Sequence, residues 1–319
     1  MKMITYYKLI NSPGLRFDRV SPDLNVKKGV YMAKLRVSCC IKVLLIFGGI
    51  ILMQVFASFI YIFCSIFFKV FSGASYASVL ESVTQTAFVD TASLMWISAI
   101  SASLSMIWCL ILYLRSSWRI KGMDYREVFT PANIAGMAAT GFGACVTLTV
   151  FLSMVINLFP SSFNKYNELM SNFDSSGGLL TFVYVLVIGP VSEEIIFRGA
   201  IFDRMHLAFP FWTANMVQAM FFGIYHMNLV QGIYAFLLGM VLGMVVYATG
   251  SILCSIAVHM VFNSTTYIIQ FVFGGDSPVI AFLFLICILM SIIMLAFGLR
   301  YYIIRCKEKY RFEKGNSAY

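Results

Sequence analysis

Between Arg204 and Asp276 the chain runs 71 residues without an aspartate, glutamate, lysine or arginine. A soluble domain does not cover its surface that way, since charged side chains make up about a quarter of an ordinary globular chain. One bilayer crossing takes about 20 apolar residues, so a run this long must turn back on itself within lipid. Shorter charge-free runs repeat the pattern at Val43–Phe68, Thr91–Leu114, Ile134–Phe159 and Ser277–Leu299. Over all 319 residues, 60% are hydrophobic and only 12% charged. A soluble enzyme, a disordered chain and a small disulfide scaffold are excluded. The class that remains is a polytopic membrane protein.

Breakers divide the long run. Pro210 stands at its head, Asn228, Gln231 and Gly232 form a polar cluster, and Thr249-Gly250-Ser251 forms a second break. These predict spans near 211–228, 232–249 and 252–273. A further segment, 179–198, starts apolar and ends in Glu193, Glu194 and Arg198. The expected fold is all-α, a transmembrane helical bundle of about eight spans. Residues 1–42 form a basic N-terminal segment, 43–299 the membrane domain and 300–319 a basic tail. An even count puts both termini on one side. The opening 42 residues lack the short apolar core of a cleaved signal peptide.

The net charge of +9 is distributed as topology requires. Residues 1–42 carry nine basic and two acidic side chains, and residues 300–319 carry six and two. Arg115, Arg119, Lys121 and Arg126 add to that side, while the opposite side receives Lys69 and Lys165 against Glu81, Asp90, Glu168, Asp174 and Asp276. The positive-inside bias therefore makes both termini cytoplasmic, in a multi-pass protein of the cell membrane. No folded polar domain carries a basic face, so nucleic acid is not an expected partner. Cys64, Cys109, Cys145, Cys254 and Cys287 fall within spans and Cys39, Cys40 and Cys306 near the cytoplasm, so no outer-loop disulfide is expected.

Ionisable groups inside a span cost roughly 2.5–3.5 kcal/mol each on insertion scales, so three in one helix need a reason. Glu194 and Arg198 are four apart, share a helix face and can pair. Glu193 is rotated about 100° from Glu194 and cannot use that partner in the same way. It is the carboxylate left for chemistry. Two of the three histidines also fall within spans: His226 ends Phe222-Gly223-Ile224-Tyr225-His226, and His259 begins His259-Met260-Val261-Phe262-Asn263. His259 and Asn263 again share a face. His206, in the cytoplasmic connection, reads as an interfacial residue. Gly239-x-x-x-Gly243 reads as a helix-packing motif, and Gly136, Gly141 and Gly143 as points of close helix approach. Pro190 frees a backbone carbonyl beside the carboxylates.

Taken together, Glu193-Glu194-x-x-x-Arg198, Phe222-x-x-x-His226 and His259-x-x-x-Asn263 resemble the CPBP family of intramembrane proteases. That family includes the type II CAAX prenyl endopeptidases and the bacterial abortive-infection-like proteins. The resemblance covers about residues 125–270 and rests on order, spacing and placement on three late helices. It implies an intramembrane endopeptidase in which Glu193, His226, His259 and Asn263 are catalytic, with Glu194, Arg198 and Phe222 in support.

The residues themselves fit such chemistry. Hydrolysis needs a water, a base and a donor for the tetrahedral oxyanion. Glu193, partly desolvated, suits the base; His226 can position the same water; His259 and Asn263 can present donors. No serine or cysteine beside a histidine suggests a covalent nucleophile. Glu193, His226 and His259 also supply the donor types of a His₂Glu zinc site, although the His-Glu-x-x-His signature is absent, so metalloprotease chemistry with Zn²⁺ stays open. The expected partners are the lipid bilayer and a membrane-associated peptide or protein: a prenylated C-terminus, a pheromone or bacteriocin precursor, or an anchored regulator. The rival functions are a proton- or ion-coupled transporter and a non-catalytic membrane immunity or binding protein. One tension remains. Span counting puts His226 near the outer end of its helix but Glu193 and His259 nearer the cytoplasm, so either 227–232 dips into the membrane or the helix starts later than Pro210.

Overall fold

The computed structural model of the protein describes residues 22–81, 91–115, 128–155, 160–161, 164, 178–273 and 277–316. Among them the chain is helical throughout: α1 Pro22–Phe71, α2 Tyr76–Glu81, α3 Thr91–Leu114, α4 Pro131–Val155, α5 Leu179–His206, α6 Phe211–Tyr225, α7 Leu229–Thr249, α8 Ile252–Phe273 and α9 Pro278–Asn316. Seven of these are long and apolar enough to cross a membrane. The exceptions are the six-residue α2 and α6; of these only α6 lies in a segment expected to span. The 15 residues of α6 cover about 22 Å, short of the roughly 30 Å apolar core. The expected span 211–228 therefore ends early, while the helices at 229–249 and 252–273 fall where the breakers put them.

The breakers act by identifiable chemistry. Asn228 caps α7, its side-chain oxygen accepting from the Val230 and Gln231 amides at 3.0 and 3.1 Å. Gly250 ends α7 in the left-handed conformation, φ 65°. Met227, between α6 and α7, also takes a positive φ of 50°, which lets three residues reverse the chain. Both ends of the bundle run on as helix. The 50-residue α1 and 39-residue α9 continue as helix across 42/43 and 299/300. The α1 extension is pinned where Arg36 Nε donates to the Ala208 carbonyl at 3.4 Å and its guanidinium lies 5.8 Å from the Phe209 ring centroid. The basic loop at 116–127 and the outer acidic residues Asp90, Glu168, Asp174 and Asp276 lie outside the described residues.

Small residues set the packing. A side chain at Gly141 would strike the Val258 carbonyl and Val261 of α8, and one at Gly143 would strike Ser291 and Leu295 of α9. Helix α4 thus lies in close contact with both neighbours, as the glycine pattern suggested. Helix α5 sits centrally. Ile196, Phe197, Ala200, Ile201 and Phe202 are wholly buried against α3, α6 and α7. Its ends fix the direction of its neighbours: Phe182 meets Tyr267 of α8 (5.8 Å between ring centroids), and His206 meets Tyr247 of α7 (5.2 Å). The outward surface is apolar, with Leu45, Phe59, Phe63, Trp212 and Ile293 all exposed, as lipid contact requires.

Candidate active site

The site forms on an irregular stretch of α5. Tyr184–Ile188 and Ile195–Phe202 are π-helical and flank the α-helical turn Gly189–Glu194. Such wide turns are rare and gather at functional positions. Here the local cause is visible. The Gly189 amide donates to the Tyr184 carbonyl, the i to i−5 spacing of a π-turn. In that register the next carbonyl, Val185, should receive the amide of residue 190, but Pro190 has none. Asn263 of α8 fills the gap, its Nδ2 donating to the Val185 carbonyl at 2.8 Å. The proline of the first motif is thereby tied to the asparagine of the third.

One turn on, Glu194 is completely buried and collects two partners on one oxygen. Arg198 Nη1 and His259 Nδ1 each stand 2.9 Å from its Oε1. An ionised carboxylate only accepts, so Nδ1 is the protonated nitrogen and Nε2 is turned to the other side of the ring. That side holds Glu193. Its Oε2 lies 3.7 Å from His259 Nε2, beyond hydrogen-bond length, and its side chain is 13% exposed where Glu194 is 0%. The pairing of Glu194 with Arg198 and the separate orientation of Glu193 agree with the helix arithmetic. The second role of His259, as a partner of Glu194, was not foreseen.

Phe222 is the hub between the three motifs. Its ring centroid lies 4.6 Å from the Arg198 guanidinium carbon, 5.1 Å from the His226 ring and 5.9 Å from the His259 ring. His226, at the C-cap of α6, interacts electrostatically with His259 and Arg198. The depth tension is thereby resolved. Helix α6 starts directly after Pro210 and stops after 15 residues, so the turn at 226–228 comes level with the buried cluster rather than with the outer surface. The site brings together Glu193, Glu194, Arg198, Phe222, His226 and His259, with Asn263 one turn further along α8.

Four neighbours escaped the sequence reading. Tyr184 and Tyr225 both lie within electrostatic range of the Glu193 carboxylate, and Tyr225 packs its ring 5.5 Å from Phe197. A tyrosine at the i−1 position of a motif histidine carries no periodic signal. Asn215 and Gln218 of α6 are both wholly buried; two amides within one short apolar helix were the available clue. As for zinc, the donor types are present but do not converge: among the described residues, no three His, Cys, Asp or Glu side chains are grouped to hold a metal ion. The geometry gives no basis for routing a step through one.

Residues 175–265 match the family model described as type II CAAX prenyl endopeptidase Rce1-like. The likeness is confined to this segment, under a third of the chain. The segment contains every residue of the three motifs and begins further along the chain than the 125–270 suggested by the motifs alone. The match supports an intramembrane protease, carried by a multi-pass membrane protein with seven long apolar helices. No curated protein and no solved structure matches the chain. Helices α1, α3, α4 and α9 lie outside the Rce1-like segment and enclose it.

Proposed function

We propose that this protein is an intramembrane endopeptidase that hydrolyses a peptide bond of a membrane-associated protein or peptide. Glu193 takes a proton from a water positioned with His226, and the resulting hydroxide attacks the carbonyl carbon. The negative charge that develops on the carbonyl oxygen is met by donors presented by the His259 ring and by the second amide hydrogen of Asn263. Collapse of the tetrahedral intermediate breaks the carbon–nitrogen bond, and Glu193 returns its proton to the leaving amine. Glu194, Arg198 and Phe222 hold the imidazole and the helices in place.

One observation carries this reading. Two adjacent glutamates have been separated in role by their surroundings: Glu194 is consumed by Arg198 and His259, whereas Glu193 faces the remaining nitrogen of that same histidine. A transporter needs a chain of exchangeable sites along a path; a single confined cluster with one uncommitted carboxylate favours hydrolysis. The test is cleavage of a membrane-peptide library by the purified protein and by Glu193→Ala and His226→Ala. Cleavage by the parent and its loss in both variants is expected. A parent that cuts nothing, or variants that cut normally, would remove the reading. Metal analysis of the same sample decides the zinc question.

A further inference from the structure

The polar cluster does not end at Arg198. Its Nη1 donates to Glu194, and its Nη2 reaches the Gly239 carbonyl of α7 at 3.4 Å. That same carbonyl accepts from Gln218 Nε2 at 2.8 Å. The orientation of the Gln218 amide is fixed by its other donor bond, 2.7 Å to Asn215 Oδ1, while Asn215 Nδ2 donates to the Met240 carbonyl at 2.9 Å. Turning the Gln218 amide over would aim its oxygen at two acceptors. Both amide side chains are wholly buried, and Gln218 Oε1 has no hydrogen-bond partner among the described residues.

The glycines of α7 make this possible. A Cβ at Gly243 would fall on the Asn215 amide, and one at Gly239 would press on Ala219 and Phe222. The Gly239-x-x-x-Gly243 motif therefore does more than let two helices approach. It bares a strip of α7 backbone to side chains of α6 and α5. A buried amide left half-satisfied is expensive, and helix adhesion alone is served by the Asn215–Met240 bond. Gln218 instead acts on the one carbonyl that Arg198 uses.

We propose that Gln218, through the Gly239 carbonyl, is a positioning residue for Arg198, and through it for the Glu194–His259 pair that faces Glu193. The inference rests on the peptidase reading for its consequence and on the hydrogen bonds alone for its geometry. With the Gln218 hydrogen in place, the Gly239 oxygen is shared, and the guanidinium stays directed at Glu194. Without it, the oxygen is left to Arg198, which shifts toward α7 and loosens its hold on Glu194. His259 Nδ1 then has Glu194 to itself, and its ring electronics change.

The experiment uses the full chain in detergent, as the parent and as Gln218→Met and Gln218→Glu. Methionine removes the donor at similar volume; glutamate presents an acceptor to Gly239 and a rival anion to Arg198. Because the chain has only three histidines, ring-nitrogen NMR of ¹⁵N-histidine protein resolves each one, assigned by single replacements. His206, stacked on Phe202 and edge-on to Tyr247 away from the cluster, reports whether the fold is retained. The expected result is a moved His259 signal in both variants with His206 unchanged. In the cleavage assay, kcat should fall about tenfold at little-changed KM. A His259 signal that coincides with the parent's in both folded variants overturns the proposal, and leaves Gln218 as an adhesive contact between helices. If the parent cleaves no peptide, the peptidase reading falls, and the ring signals still decide the positioning role.

Discussion

Glu193 and Glu194 are neighbours in the chain and opposites in surroundings, which makes the pair a sharp test at the level of single residues. Glu194 is fully buried with Arg198 Nη1 and His259 Nδ1 each 2.9 Å away. Glu194→Gln would leave a buried guanidinium without its counter-charge, and removing one member of a buried ion pair costs about 3–5 kcal/mol. Glu193 has no such pair; it stands 3.7 Å from His259 Nε2, beyond hydrogen-bond length, and its side chain keeps some exposure. Glu193→Gln should change stability by only about 0.5 kcal/mol, yet abolish cleavage, since an amide takes no proton from water. Unfolding in mixed detergent micelles would rank the two. Equal loss of stability in both variants would contradict the assigned division of labour. The same logic explains why Phe222 belongs to the site without reacting: its ring face lies 4.6 Å from Arg198, and a cation held over an aromatic ring in a desolvated place gains about 2 kcal/mol.

At the level of helices, the link to examine runs from Pro190 to Asn263. The bond from Asn263 Nδ2 to the Val185 carbonyl replaces the amide that Pro190 lacks, so each residue makes sense only with the other. Asn263→Ala should cost about 1 kcal/mol by orphaning a half-buried carbonyl. In a Pro190→Ala background, residue 190 regains an amide that can reach Val185, and Asn263→Ala should then cost markedly less. A double-mutant cycle would read this as a coupling of about 0.5–3 kcal/mol; strictly additive losses would sink the idea. Helices of this kind were legible in the sequence to different degrees. Charge-free runs set the membrane helices, and Asn228 and Gly250, read only as breakers, mark the ends of α7 by capping. The end of α6 at Tyr225 was not legible, because Met227 and Leu229 continue the apolar pattern and the turn depends on the backbone of Met227. The π-turns of α5 were also hidden, since widening a helix changes no residue type. The motif residues of the site stood out by scarcity: polar groups in lipid are few, and Glu193, Arg198, His226 and His259 were visible for that reason. Gln218 and Asn215 were overlooked because uncharged amides do not interrupt a charge-free run.

At the scale of the whole molecule, the short α6 raises a question about topology. Helices α6 and α7 pack along each other as a hairpin, with Phe211 stacked on Tyr247 at one end (4.4 Å between ring centroids) and Gly223 against Gly232 at the other. The chain therefore leaves the hairpin on the side where it began, whether or not α6 crosses completely. The remaining long helices α1, α3, α4, α5, α8 and α9 number six, which predicts the described ends of α1 and α9 on the same side. The basic residues of their extensions, Lys34 and Arg36 in α1 and Arg305 and Lys307 in α9, make the cytoplasm the expected side by the positive-inside bias. The prediction concerns single cysteines at exposed positions, each in a chain with Cys40 replaced by serine: Ala33→Cys, Lys307→Cys and, in the turn after α1, Ser75→Cys. In sealed right-side-out vesicles, a membrane-impermeant maleimide should label Ser75→Cys and spare the other two until detergent is added. Labelling of Ala33→Cys and Lys307→Cys from opposite sides would break the parity, and labelling of both from outside would reverse the orientation. In the expected arrangement, α5 descends with Glu193 about 13 residues before His206 at its cytoplasmic end, so a substrate reaches the carboxylate from within the bilayer or from the cytoplasmic half of the bundle.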